Sequence, residues 1–94
     1  MVRVLIERRI SEGLMGDFQQ ALRRTRLVAV QKPGYLSGES WRDADDPNRY
    51  VVISTWTSRQ AWDAWAASDA RRVAMGEIRP MLQEPERITV LEPV

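Results

Sequence analysis

The sequence predicts an α+β domain of the ferredoxin-like kind, a four-stranded antiparallel sheet with the order β-α-β-β-α-β and both helical segments on one face. Three observations lead there. Two runs rich in β-branched residues, Val2–Ile10 and Tyr50–Trp56, alternate faces with a period of two. Two longer segments, after Ser11 and after Thr57, carry apolar residues at helical spacing. Between them, Tyr35–Arg42 returns through a short polar loop into Tyr50–Trp56, which is the signature of a hairpin.

In the first strand Val2, Val4, Ile6 and Ile10 share one face, and Arg3, Leu5, Glu7 and Arg9 the other. Ser11 is placed to cap the first helix, with Glu12 in the first turn where the helix dipole favours a negative charge. The apolar positions Leu14, Met15, Phe18, Ala21, Leu22, Thr25, Val28 and Ala29 then follow a helical period, opposite a Gln/Arg face. Gly13 and Gly16 weaken its start by roughly 1 kcal/mol each relative to alanine.

Lys32-Pro33-Gly34 is a turn into the second strand. The loop Asp43–Asn48 carries three aspartates but lacks the glycine and distant glutamate of a calcium loop, and Pro47-Asn48 is turn chemistry. Thr57 or Ser58 caps the next helix, and Thr57 with Gln60 fits a capping box. Ser68-Asp69 marks a break or second cap before Ala70–Arg79, and Pro80 ends that piece. The last strand is Arg87–Leu91.

Ninety-four residues, 44% apolar and 29% charged, make one globular domain over residues 1–94. Fourteen basic and thirteen acidic residues leave a net charge of +1, which offers no basic footprint for nucleic acid or anionic membrane. With no cysteine, disulfides and thiolate nucleophiles are excluded; with no histidine, the commonest general base and metal ligand are missing too. No signal peptide and no apolar span of about 18 residues is present, so a cytoplasmic location is expected.

The third strand has little wet side, since Val51, Ile53 and Thr55 oppose Tyr50, Val52, Ser54 and Trp56. A sheet apolar on both faces needs cover on both, and the helices supply only one. A two-fold homodimer through the second sheet face is therefore expected, with Trp41 a candidate for the contact.

From Ser54 to Arg79 the pattern is an apolar strand, then Trp56-Thr57-Ser58, then Trp65-Ala66-Ala67-Ser68-Asp69, then Arg71-Arg72-Val73-Ala74-Met75. With the Pro-Gly turn before GYLSGES, it resembles the antibiotic biosynthesis monooxygenase superfamily of dimeric α+β barrels. That resemblance implies a cofactor-free oxygenase acting on a small aromatic or polyketide-like substrate, with no metal or flavin. A non-catalytic ligand-binding or structural module on the same scaffold is the alternative. The haem-degrading members of the superfamily are similar through the same segment. Their tryptophan falls on Trp56, their haem-ligating histidine at or near Met75, a second histidine at Glu77 and an asparagine at or near Glu7. Only the tryptophan is kept, and Met75 offers iron no more than a thioether.

Cofactor-free oxygenation needs a base, an anion stabiliser and an apolar pocket. Trp56 is the pocket candidate, able to stack on an aromatic substrate, or else the largest core residue. Glu7 is the candidate base, interrupting an apolar strand face where desolvation raises a carboxyl pKa; the alternatives are an ion pair with an arginine such as Arg9 or Arg72, or simple exposure at a strand end. Arg72 and Arg9 are candidate anion stabilisers or solvated charges. Tyr50, Trp65 and Met75 are candidate pocket walls, each equally at home in a core.

Overall fold

A computed structural model describes all residues 1–94. Its elements are β1 (Val2–Arg9), α1 (Met15–Ala29), β2 (Tyr35–Arg42), β3 (Arg49–Trp56), α2 (Arg59–Ala66), α3 (Asp69–Ile78) and β4 (Arg87–Leu91). The sheet order is β2-β3-β1-β4 with every neighbouring pair antiparallel. This is the arrangement the alternation predicted. The two helical crossovers each skip one strand, so β1 and β3 occupy the centre and carry most of the apolar surface.

The helix-facing side of the sheet is set by parity. Val2, Val4, Ile6 and Arg8 of β1 are buried, as are Tyr50, Ser54 and Trp56 of β3. Two clusters fill the layer between sheet and helices. One joins Val2, Val4, Ile6 and Trp56 to Ala29, Trp62 and Trp65. The other joins Ile10, Phe18, Ala21 and Tyr50 to Met75 and Ile78. Helix α1 packs mainly on α3 rather than flat on the sheet, which leaves a cleft between α1 and the β2 edge.

Local expectations hold in part. Ser58, not Thr57, caps α2 by accepting from the Ala61 amide at 3.1 Å, so the Thr57–Gln60 box is not formed. Ser68 caps α3 in the same way through the Arg71 amide. Ser11 does not cap α1. Glu12-Gly13 turn the chain first, and the helix begins at Met15 with Leu14 in the cap position and no side-chain cap. The Ser11 amide is instead bonded to the Met81 carbonyl, 2.8 Å away. In the hairpin loop, Asp43 and Asp46 accept from the amides of Asp45 and Asn48 and pair with Arg49 and Arg9. No helix is long and apolar enough to cross a membrane.

Candidate functional site

Trp56 ends β3 on the helix-facing side and is 1% exposed. Its neighbours are aromatic on three sides. Tyr35, paired with it across the β2–β3 ladder, meets it edge-on at 5.3 Å. Trp62 is tilted at 5.9 Å and Trp65 stacks at 6.4 Å. The spacing of Trp62 and Trp65 on α2 turns both rings toward the same partner. The indole Nε1–H of Trp56 donates to Ser54 Oγ at 3.0 Å, which satisfies a buried donor.

Next to this aromatic group lies a buried ion cluster. Arg8 enters from β1 and Arg71 from α3, and both reach Glu86, which precedes β4. Arg8 Nε donates to Glu86 Oε2 at 2.9 Å, and Arg71 Nη2 to Glu86 Oε1 at 2.9 Å. Arg71 also lies 5.7 Å over the Trp62 ring, a cation–π contact. Burial by itself raises the Glu86 pKa, but the two guanidiniums outweigh it and hold the carboxyl below its usual range. Burial lowers the Arg8 pKa, opposed by Glu86 and reinforced by Arg71. Two positive charges share one negative charge, so the cluster keeps one net positive charge in a poorly solvated place.

The cleft between α1 and β2 opens onto these residues. Its inner part is walled by Trp56, Trp62, Trp65, Ser54, Arg8 and Arg71 and holds about 60 Å³ of free volume. That is room for a few waters. Its outer part, about 460 Å³, lies between Gln19, Arg23 and Arg26 of α1 and Ser40–Arg42 of β2, with Tyr50 at its floor. Leu22, Arg26 and Ser40 wall both parts, and Arg26 Nη2 donates across the cleft to the Gly38 carbonyl at 3.1 Å.

Of the residues the sequence singled out, the structure brings Trp56 and Trp65 together in the inner cleft and sets Tyr50 in the outer one. Tyr50 packs on Phe18 at 4.9 Å and its hydroxyl accepts from Gln19 Nε2. Met75 is fully buried and lines neither part; its sulfur faces Arg8 Nη2 at 3.5 Å. A sulfur held against a guanidinium, with no opening beside it, does not fit a haem iron. Glu7 lies on the opposite face of the sheet from Trp56, by the parity of β1, and pairs with Arg49 at 2.7 Å. Arg72 points to solvent and lies 3.4 Å from Asp69. Neither stands in the cleft. Arg8, Arg71 and Glu86 were not singled out for the site. Parity in β1 marks Arg8, and the spacing Arg71, Met75, Ile78 marks Arg71; no local pattern marks Glu86.

These features define a class of protein: a ferredoxin-like α+β domain with a tryptophan-lined cleft above a sheet whose other face is open. The chain belongs to the antibiotic biosynthesis monooxygenase family, whose family model matches residues 1–77. It is similar to the "42.8 kDa protein in whiE locus" of Streptomyces coelicolor, 28% identical over 68 residues, 72% of this chain and 17% of that protein. It is similar also to Protein SchA of Streptomyces halstedii, 23% identical over 82 residues, 87% of this chain and 22% of that protein. The chain thus spans about a fifth of the length of these relatives. Among solved structures, SnoaB, a cofactor-independent oxygenase from Streptomyces nogalater, superposes with a TM-score of 0.86 at 19% identity, covering 99% of this chain and 93% of that one. Rv0793 from Mycobacterium tuberculosis gives 0.88 at 20%, covering 99% and 94%. At these identities the likeness carries the fold.

Proposed function

We propose that this chain is a monooxygenase working without metal or flavin, oxidising a small aromatic or polyketide-like substrate with dioxygen in the α1–β2 cleft. The observation that carries the reading is the net positive Arg8–Glu86–Arg71 cluster beside the Trp56 ring. In such a reaction an acidic phenol or activated methylene loses a proton, and its anion reduces dioxygen. For a methylene, one oxygen atom becomes the carbonyl, and the other leaves as water with the two hydrogens of that carbon. A fixed cation in a poorly solvated wall stabilises the anion and lowers the substrate's own pKa. Arg71 and Arg8 take that role in place of Arg72. Glu86, held as a weak base, does not serve as the proton acceptor. Glu7, on the far face, is no closer to the task within one protomer.

A non-catalytic scaffold is the second reading, favoured by the small inner volume, well below the roughly 300–1,000 Å³ of small-molecule sites. Catalysis requires the substrate to displace Arg26 from Gly38 and join the two parts of the cleft. Oxygen uptake over anthrones, hydroquinones and catechols separates the readings. Uptake that falls in Trp56→Phe and Arg71→Gln supports the oxygenase; uptake indifferent to both variants rejects this site, and no uptake with any substrate shifts the reading to the scaffold.

The open sheet face supports a homodimer as the working unit. Leu5 and Ile53 are cross-strand partners there, and Trp41, 60% exposed, lies on the same face opposite Val51.

A further inference from the structure

The thirteen arginines of this chain are not distributed evenly over its carboxylates. Eight lie within 4.0 Å of one: Arg8, Arg9, Arg24, Arg49, Arg59, Arg71, Arg72 and Arg87. The five without such a partner are Arg3, Arg23, Arg26, Arg42 and Arg79. Three of these five, Arg23, Arg26 and Arg42, wall the outer part of the α1–β2 cleft, and no carboxylate residue lines it with them.

The concentration does not follow from overall charge, which is only +1. Arg23 and Arg26 are three apart on α1, on one face of the helix, where like charges repel. The helix dipole accounts for Arg26, in the last turn of α1, but not for Arg42 on the strand opposite. Nor is Arg42 short of acidic neighbours in the chain. Asp43 follows it directly, yet pairs with Arg49. Arg26 is moreover bonded only to a backbone carbonyl, that of Gly38, a weaker partner than an oxyanion.

We infer that the outer cleft is an anion subsite, and that the ligand is an aromatic body bearing a carboxylate or a similar oxyanion. The inference rests on the reading of the cleft as the substrate pocket. The ring system enters toward Trp56, and the oxyanion stays at the mouth with Arg23, Arg26 and Arg42. Recruiting Arg26 to the oxyanion releases Gly38 and opens the inner part, so the charged group both anchors the ligand and unlocks its place.

The test is quenching of tryptophan fluorescence by an anthracene carboxylate, the matching sulfonate and the neutral methyl ester, using the whole chain. The two anions are expected to bind about tenfold more tightly than the ester at low ionic strength, a preference that shrinks as salt screens the arginines. In the triple variant Arg23→Gln, Arg26→Gln, Arg42→Gln the ratio of acid to ester affinity falls to about one. In the control Arg3→Gln, Arg79→Gln, which removes the other two unpaired charges, the ratio is retained. All five side chains are on the surface, and circular dichroism checks that each variant is folded. Equal binding of acid and ester, or a preference that survives the triple variant, overturns the subsite while leaving the aromatic pocket standing. Quenching by none of the three overturns the pocket and the subsite together.

Discussion

Arg8 and Arg71, sixty-three positions apart in the chain, hold opposite oxygens of the same carboxylate, each at 2.9 Å. The arrangement ties β1 to α3 through the residue that leads into β4. Its energetics are those of a buried charge that tolerates no missing partner. Replacing Glu86 by glutamine leaves two guanidiniums facing each other with no countercharge and is expected to destabilise the fold by roughly 3–5 kcal/mol. Urea denaturation measures it, and a loss below about 1 kcal/mol would reduce the trio to the standing of a surface pair.

The same carboxylate sets an acid-side dependence. Glu86 has a lower pKa folded than its ordinary 4.5, so above that value its contribution is fully present. As pH falls from there through the folded value, the carboxylate protonates and the contribution is lost. The stability gap between the parent chain and Glu86→Gln should therefore be constant near neutrality and narrow on acidification to about pH 3. A gap that widens on acidification contradicts this assignment.

At the other wall of the inner cleft, Trp56 and Ser54 form a unit. Ser54→Ala strands a buried indole N–H and should cost about 1–3 kcal/mol. In a Trp56→Phe background, which has no such donor, the same change should cost much less. The double-mutant cycle reads this coupling directly. Trp56→Ala is the poorer probe of activity, because emptying the site costs about 3–5 kcal/mol of core stability by itself.

Gly34, just before β2, and Gly38, within it, differ in what a methyl group would do. Gly34 has φ +85°, and a Cβ there would overlap Ala61 Cβ. Gly34→Ala should cost about 1–3 kcal/mol from the backbone alone, with the clash on top. A Cβ at Gly38 would instead meet the Tyr35 hydroxyl, the far end of a side chain able to swing away. Gly38→Ala is expected to cost less, about 0.5–1.5 kcal/mol for the Tyr35–Trp56 edge contact given up, and to be seen as a change in tryptophan emission.

Much of the fold was legible because period and parity report directly on faces. The strand alternation grouped Trp56 with Tyr50, Val52 and Ser54 on one face, which the fold turns to the helices, and the Ser68 cap divided the second helical segment where α3 begins. The site was legible only where a residue type announced it. Arg8 obeys the same parity as Val4 and Ile6, yet its charge makes a strand reading assign it to water; only a partner remote in sequence makes its burial tolerable. On α3, one residue step is about 100° of rotation. Arg71 thus joins Met75 and Ile78 in the core while Arg72 points to solvent. Ser11 failed as a cap because the turn at Glu12-Gly13 moved the helix start past it, a choice that depends on where the chain has to enter the bundle.

The far side of the sheet gives the remaining prediction. Leu5 and Ile53 sit side by side at its centre, half-buried in a single protomer, with Thr89 beyond Leu5 on β4. To one side of them lies an ionic border of Glu7, Arg49, Asp43 and Arg87, in which every member has an opposite charge within 4.0 Å, while Glu39, the cross-strand partner of Ile53, and Arg3, that of Thr55, share the face without one. An apolar centre flanked by charges that stay hydrated at the edge is suited to a self-complementary contact. Sedimentation of the parent chain should give a dimer, and Ile53→Lys, which puts a charge into the apolar centre, a folded monomer. The cleft lies on the other face, so circular dichroism and probe binding at Trp56 should survive the change. A parent chain that sediments as a monomer at high concentration would assign the apolar centre to another partner.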